Sequence, residues 1–276
     1  ECSNKDDEIK IRKQVSESED AITSLVANLI YDNVCDISTL RGTKPTSFDG
    51  PLGSLSLVDD AITIRADEPS KVMQMGAWLR LGPAATKLKV EKLDRIGLHV
   101  VAVHGLQSSA VLTTLDLSEN DLTNYGKDMS GITALAEALR VNAVLKNLNV
   151  AHNSSIDGEA AQQLAAAALG SASLEVLSEV PIKELREDKH TALDLKYKGL
   201  GPTEGIVLAE LVKGNAVLTS LNVSYNKLDE EAALGIVKAV RQHDKMTNLG
   251  LAGCQIGPTG AKELADYVSV SAVLTT

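Results

Sequence analysis

Histidine and cysteine are the residues of this sequence that could bind a metal or act as nucleophiles, and their spacing favours neither role. His99 and His104 fall five residues apart in one predicted helix, so their side chains would lie on different faces. The cysteines, Cys2, Cys35 and Cys254, form no CxxC pair and show no Cys/His metal spacing. The sequence also lacks the GxSxG, GxGxxG, HExxH and phosphate-binding GxxxxGKS/T motifs. We therefore expect no catalytic site, no metal and no cofactor.

Three asparagines recur at one position of a repeated pattern, and their chemistry is hydrogen bonding. Asn120, Asn153 and Asn226 each follow a short predicted strand. Such a side chain offers a donor and an acceptor, and a buried backbone group without a partner costs roughly 1–3 kcal/mol. We interpret these asparagines as a structural ladder at the strand ends. Lys198 holds the same position but cannot accept a bond, so its corner is predicted to be open to solvent or locally rearranged.

The elements that position these asparagines alternate between two hydrophobic periodicities. In Leu221-Asn222-Val223 the apolar residues alternate, as in a short strand with one buried face. In TEGIVLAELVKGN (203–215) they recur at helical spacing. The strand pattern LTSLNVSYNKL (218–228) has counterparts in LTTLDLSENDL (112–122), LKNLNVAHN (145–153) and MTNLGLAGCQI (246–256). The order of strand, turn, helix and turn predicts an α/β solenoid.

The period of the pattern is regular downstream and irregular upstream. The opening leucines Leu193, Leu221 and Leu249 are 28 residues apart. The steps from Leu115 to Leu148 and on to Leu177 are 33 and 29 residues, and the step from Leu177 to Leu193 is only 16. The short step predicts an irregular joint.

Here the sequence resembles the leucine-rich repeat family, in its ribonuclease-inhibitor-like subclass with repeats near 28 residues. The pattern LxxLxLxxNxL is matched by Leu112, Leu115, Leu117, Asn120 and Leu122, and again by Leu218, Leu221, Val223, Asn226 and Leu228. The resemblance covers about residues 88–276. It implies a curved parallel sheet inside with helices outside, and it implies that Cys254 substitutes for a ladder asparagine.

The chain divides into an N-terminal segment, 1–86, and a repeat segment, 87–276. We predict that 1–86 is a helical cap or extension, with a helix over 19–34, a loop or linker over 42–54 and a possible degenerate first repeat whose strands lie in 52–65. The repeat array is predicted to be incomplete at its C-terminal end.

Charge and composition exclude several classes of partner. The formal net charge is −10 and no lysine or arginine block interrupts it, which argues against nucleic acid. No apolar run is long enough to span a membrane. Sparse cysteines favour a reducing compartment, so we expect a cytoplasmic location, although an N-terminal targeting segment is not excluded, and Cys2 and Cys35 are either free or paired.

The surface of the predicted sheet offers the candidate binding residues. Equivalent positions of successive repeats should align in columns on the concave face. Tyr197 and Tyr225 fall in adjacent repeats of a chain with only one Trp and one Phe, so they are either binding hot spots or shields for the strand ends. The predicted partner-binding residues are Asp116, Glu119, Asn149, His152, Asp194, Lys196, Tyr197, Asn222 and Tyr225.

A repeat scaffold without catalytic motifs predicts a non-enzymatic function. We expect a protein-interaction module or assembly subunit that binds a partner polypeptide through its concave repeat surface and N-terminal extension. The alternative that the resemblance implies is a GTPase-activating regulator similar to the Ran GTPase activators. In that hypothesis, Lys198 and Asp229 on the loops beyond the strands would act on a GTPase.

Overall fold

A computed structural model describes residues 46–50, 53–58, 61–65, 86–93, 98, 101–107, 109–153 and 156–270. For the first three of these ranges only the backbone is described. The predicted helix over 19–34, most of the predicted N-terminal cap, Cys2, Cys35 and His99 lie outside the described residues.

The strands form two sheets within the described residues. In the first sheet β1 and β2 pair antiparallel, as do β2 and β3, and the strands from β3 to β7 run parallel. The second sheet is parallel throughout. The strands are β1 (Thr46–Gly50), β2 (Gly53–Val58), β3 (Ala61–Arg65), β4 (Lys87–Glu91), β5 (Thr114–Asp116), β6 (Asn147–Asn149) and β7 (Val176–Leu177), then β8 (Ala192–Asp194), β9 (Ser220–Asn222) and β10 (Asn248–Gly250).

The N-terminal strands change part of the sequence interpretation. The prediction of strands within 52–65 is confirmed by β2 and β3, which form a hairpin. The prediction of a loop over 42–54 is wrong, because this range contains β1 and the start of β2. Gly50 and Gly53 are themselves strand residues, and they pair at the end of the β1–β2 ladder.

Helices follow most of the parallel strands and complete the α/β solenoid. A short π-helix, Val101–Leu106, follows β4. Proline at the first helical position and an aspartate cap are typical helix starts, and they begin α4 and α5 at Pro202 and after Asp229. The α-helices are α1 (Ser130–Val141), α2 (Gly158–Gly170), α3 (Ile182–Arg186), α4 (Pro202–Gly214), α5 (Glu230–Arg241) and α6 (Gly257–Val270).

The aliphatic core is continuous along the described repeats. Strands β4 to β9 bury the leucine that opens the pattern, and registered pairs such as Leu115 with Leu148 and Leu193 with Leu221 continue the row. The equivalent Leu249 of β10 is only partly buried. The next inward position is also buried, at Leu117, Val150, Leu195, Val223 and Leu251. Burying one such side chain stabilises the fold by roughly 1.5–3 kcal/mol. Aliphatic side chains therefore build nearly all of the described core, in which Tyr267 is the one aromatic residue.

The strands of the solenoid are divided between two sheets, because the hydrogen-bonded ladder stops between β7 and β8. The chain turns back at once after β7, where Leu177 and Val180 exchange backbone hydrogen bonds of 3.1 and 2.8 Å. Pro181 then precedes the single turn of α3, so the repeat ends after a step of 16 residues.

The turns on either side of this gap are nevertheless joined. The backbone N–H of His152, which follows β6, donates to the carbonyl of Gly199, which follows β8, at 3.0 Å. Ser178 Oγ accepts from the Val150 N–H at 3.2 Å and donates to Glu204 Oε1 at 2.6 Å. Helices α2 and α4 pack on each other across the gap. The short repeat thus separates the strands while the turns beyond them stay connected.

Candidate functional site

The asparagine ladder forms as the sequence indicates. Asn153 Nδ2 donates to Leu117 O of the preceding repeat at 2.8 Å and to Val150 O of its own repeat at 2.9 Å. Its Oδ1 accepts from the Asn120 N–H at 3.2 Å. Asn226 is bonded in the same manner to the repeat before it. These asparagines satisfy backbone groups between repeats, so they are scaffold.

The two departures from asparagine differ in what they do. Cys254 Sγ lies 3.2 Å from Val223 O, in the position of a ladder donor. Burial raises the pKa of the Cys254 thiol, which keeps its proton available for this contact. Lys198 makes no such bond to the preceding repeat among the described residues; its Nζ lies 3.5 Å from Glu179 Oε2. The ladder is therefore interrupted at the gap between the sheets, and Lys198 at this corner is half-buried.

The first column of predicted binding residues shapes the turns after the strands. The Oδ1 atoms of Asp116, Asn149, Asp194 and Asn222 each accept from the backbone N–H two residues later, at 3.0, 3.1, 3.1 and 3.1 Å. This bond is the Asx-turn that Asp and Asn side chains favour. The side chains lie at the open face of the strands, where they are half-buried or, at Asp194, exposed. The Oδ1 atom of each side chain is thus already engaged in a hydrogen bond within the turn.

A second column lies on the turns and not on the concave strand face, which corrects the sequence interpretation. Glu119, His152, Tyr197 and Tyr225 have φ of 58°, 59°, 58° and 57°, the left-handed region that non-glycine residues rarely adopt. Gly253 takes the same position with φ 66°. We call these five residues the turn ridge.

Backbone hydrogen bonds link each turn of the ridge to the next. The backbone N–H of Glu119 donates to Ala151 O at 3.2 Å, and that of His152 donates to Gly199 O at 3.0 Å. The N–H groups of Tyr197 and Tyr225 donate to Ser224 O and Ala252 O at 3.2 and 2.7 Å. The ridge therefore crosses the gap between the two sheets through one backbone bond whose register is shifted, because His152 pairs with Gly199 rather than with Lys196.

The two tyrosines of the ridge stack on each other. The ring centroids of Tyr197 and Tyr225 are 4.6 Å apart and the ring planes differ by 14°. The side chains remain 62% and 48% exposed. Lys196 Nζ lies 5.0 and 5.1 Å from the two centroids, within the range of a cation–π contact. We call Lys196, Tyr197 and Tyr225 the tyrosine platform.

The tyrosine stack ends where the ridge changes to glycine. A methyl group placed on Gly253 would lie 2.8 Å from Tyr225 Cδ1, so the ring of Tyr225 extends over the glycine. The rings thus shield one another and the next turn, while about half of their surface faces solvent. This geometry fits both hypotheses for the tyrosine pair, that it shields the strand ends and that it forms a binding surface.

A loop that the sequence interpretation missed carries a third exposed tyrosine. The 33-residue step between Leu115 and Leu148 exceeds the 28-residue period, and the extra residues fall in the turns between β5 and α1. Asn124, Tyr125 and Gly126 are consecutive left-handed residues, with φ of 50°, 56° and 80°. The Tyr125 side chain is 74% exposed. The signal in the sequence is the long step together with Asn-Tyr-Gly.

Comparison with known families explains the repeat. The family model described as Leucine Rich repeat matches residues 108–126, 214–237 and 245–265. These ranges contain strand motifs that supply the ladder and the turn ridge. The chain contains leucine-rich repeats.

Solved structures with similarity to the chain are more distant. One is the tropomodulin C-terminal domain from Caenorhabditis elegans, at 18% identity and a TM-score of 0.28, covering 52% of this chain and 78% of that one. Another is leiomodin-1 actin-binding site 2, at 15% identity and a TM-score of 0.27, covering 54% of this chain and 77% of that one. A search of curated protein sequences gave no match.

The leucine-rich repeats bring no metal-binding group together in the part of the chain that the structure describes. None of the described helices is long and apolar enough to cross a membrane. Of the residues in the GTPase-activating hypothesis, Asp229 Oδ1 accepts from the Ala232 N–H at 2.8 Å as a helix cap, and Lys198 contacts Glu179. Both contacts are structural, and neither favours that hypothesis.

Proposed function

We propose that this chain is a non-enzymatic protein-interaction module or assembly subunit that binds a partner polypeptide. The binding surface is the open face of the leucine-rich repeats with the turn ridge, and the N-terminal segment extends it. The observation that carries the proposal is the exposed, stacked pair Tyr197 and Tyr225. Tyrosine is enriched among the few residues that dominate binding energy at protein interfaces.

The scarcity of aromatic residues supports this use of the pair. The chain has five tyrosines, one tryptophan and one phenylalanine, and the described core is aliphatic apart from Tyr267. Tyr197 and Tyr225 are therefore not needed to fill the core. Three of the five tyrosines, Tyr125, Tyr197 and Tyr225, are exposed on turns that follow strands.

Site-specific photo-crosslinking tests the proposal. A benzoylphenylalanine at Tyr225 keeps an aromatic ring at the platform, whereas the same group at Lys238 lies on the exposed side of α5. We expect the Tyr225 probe to crosslink one discrete protein in native extract, and Tyr197→Ala in the same chain to reduce that product. Identical crosslinks from both probes, or none from Tyr225, would contradict the proposed surface.

Two finer assignments accompany this proposal. The 28-residue steps from Leu193 to Leu249, with helices behind the strands, support the ribonuclease-inhibitor-like subclass. The small number of cysteines supports a reducing, cytoplasmic location, which fractionation of cells expressing the protein would test.

A further inference from the structure

We propose that the tyrosine platform, Lys196, Tyr197 and Tyr225, is an anchor for an acidic side chain in an extended segment of the partner. This inference rests on the proposed function and adds the chemistry of the bound segment. Three features carry it: a fixed aromatic surface, a cation without a carboxylate partner among the described residues, and a second unpaired lysine shortly after Tyr225 in the sequence.

The aromatic surface is fixed before any partner binds. Both tyrosines are held by backbone hydrogen bonds to the next repeat, at 3.2 and 2.7 Å, and their rings stack at 4.6 Å. A side chain that is already ordered loses little conformational entropy on binding. The platform therefore presents a preorganised apolar surface on a turn.

Lys196 supplies a charge that the described residues do not neutralise. Its ammonium group lies over both rings, and no carboxylate of the described residues forms an ion pair with it. The Asp194 carboxylate beside it accepts from the Lys196 backbone N–H at 3.1 Å. An incoming carboxylate could pair with Nζ while its methylene carbons pack on the tyrosine rings.

The cation is specific to this repeat. The equivalent positions are Glu91 in the repeat of β4 and Ser118, Ala151, Ser224 and Ala252 in other repeats, and none of these residues is basic. The column therefore contains one long basic side chain, placed beside the two tyrosines. A lysine that served only to solubilise the surface would not need this position.

The neighbouring charges favour an acidic segment over a basic one. Lys227, two residues after Tyr225, is exposed and has no ion-pair partner among the described residues, whereas Lys198, next to Tyr197, is paired with Glu179 at 3.5 Å. Lys196 and Lys227 would repel a partner arginine or lysine that approached the rings. The overall charge of −10 opposes an acidic partner at long range, so recognition depends on these local lysines and on ionic strength.

Fluorescence anisotropy with three labelled peptides tests the proposal on the full chain. The peptides alternate glycine with glutamate, glutamine or lysine. We expect the glutamate peptide to bind roughly fivefold more tightly than the glutamine peptide, and we expect its affinity to fall with added salt. Lys196→Glu should lower the affinity for the glutamate peptide roughly tenfold. Tyr197→Ala or Tyr225→Ala should lower this affinity roughly fivefold or more.

Two matched variants serve as controls. Tyr125→Ala removes an exposed tyrosine from another turn, and Lys238→Ala removes an exposed lysine from α5. Both should leave the affinity for the glutamate peptide unchanged. Melting temperatures compare the folding of all variants, and a Lys196→Glu protein that melts like the wild type attributes its loss of binding to the charge.

Defined outcomes overturn the acidic-anchor proposal. Equal binding of the glutamate and glutamine peptides, a preference for the lysine peptide, or unchanged affinity in Lys196→Glu each contradicts it. A discrete partner crosslinked from Tyr225 together with no binding of the glutamate peptide overturns the acidic anchor and leaves the proposed function standing. Failure of both experiments overturns both.

Discussion

At the scale of single residues, the ladder asparagines connect one repeat to the next. Asn226 is 7% exposed and bonds Leu195 O and Val223 O through Nδ2, both at 2.8 Å. Its Oδ1 accepts from two further N–H groups of the preceding repeat. Removing the amide leaves several buried backbone groups without a partner at once.

We expect Asn226→Ala to lower the free energy of unfolding by roughly 2–3 kcal/mol, because each unsatisfied buried group costs about 1–3 kcal/mol and water can reach some of them. Urea denaturation followed by circular dichroism measures the change. Asn248→Ala, at an exposed strand position, is the control and should shift the midpoint little. Equal shifts in the two variants would show that the ladder bonds do not stabilise the fold.

Glu204 is a second residue whose role depends on burial. Its side chain is 2% exposed, and its two oxygens accept from Ser178 Oγ at 2.6 Å and from the Gly201 N–H at 2.9 Å. The carboxylate thus joins the short repeat of β7 to the start of α4. A glutamine at this position has only one side-chain oxygen, so its NH2 group would face one of the two donors, the Ser178 hydroxyl or the Gly201 N–H.

We expect Glu204→Gln to reduce the free energy of unfolding by about 1–3 kcal/mol. Glu210→Gln, on the exposed side of the same helix, should have little effect. A double-mutant cycle with Ser178→Ala, measured by urea denaturation, isolates the pair. Additive effects of the two substitutions would disprove the coupling between Ser178 and Glu204.

The sequence predicted one asparagine ladder and missed a second set of asparagine contacts. Asn142 and Asn215 sit after α1 and α4, and each Nδ2 donates to a carbonyl of the preceding repeat, at 2.7 and 2.8 Å. Each Oδ1 accepts from the N–H groups that open the next strand segment. The repeated Asn-Ala-Val-Leu of 142–145 and 215–218 is the signal that could have revealed them.

At the scale of elements, the turns store backbone strain in a regular pattern. The turn ridge and the loop that carries Tyr125 place non-glycine residues at positive φ, where a side chain costs of order 1 kcal/mol. Hydrophobic periodicity predicts strands and helices but does not report φ in the turns between them. For this reason the sequence placed Tyr197 and Tyr225 in adjacent repeats but assigned them to the strand face.

Strain at these turns predicts that a glycine variant is more stable than an alanine variant there, which is the reverse of the order inside a helix. We expect Tyr125→Gly to be more stable than Tyr125→Ala by about 1 kcal/mol, because only alanine retains the penalty at φ 56°. At Lys238, inside α5, glycine should instead be less stable than alanine by about 1 kcal/mol. Thermal or urea unfolding of the four variants gives both differences. The same order at both sites would contradict the left-handed backbone at Tyr125.

At the scale of the whole molecule, the repeat order was predictable and the break in the sheet was not. The 28-residue steps and buried leucines fix strands on one side and helices on the other. The 16-residue step indicated an irregular joint. Hydrophobic spacing does not determine, however, whether the strands on either side of such a joint still pair or only the turns beyond them stay bonded. That outcome depends on the turn at Leu177 and Val180 and on contacts such as Ser178 with Glu204.

The joint also determines how unfolding should spread along the array. In a solenoid each repeat contacts its neighbours, so stability is a sum of repeat and interface terms. Between β7 and β8 the strand ladder is absent, and the contacts across this joint include the packing of α4 against α2 and α3, the Ser178–Glu204 contact, the bond from the His152 N–H to Gly199 O and the bond from Asn215 Nδ2 to Leu185 O. No strand pairing supports this interface, so we expect a local change there to separate the two halves.

Gly199→Ala makes that change. The residue has φ 66°, and a methyl group on it would lie 2.3 Å from the His152 ring, so the exposed ring must move and the backbone strain of about 1 kcal/mol remains. We expect one cooperative urea transition in the wild type to split in the variant, with faster amide hydrogen exchange at His152 than at Leu221. Gly214→Ala, where no atom lies within 4 Å of the added methyl group, should keep the wild-type transition. If both variants unfold alike, the turn ridge does not couple the two sheets, because the perturbed bond is the one that carries the ridge across the gap.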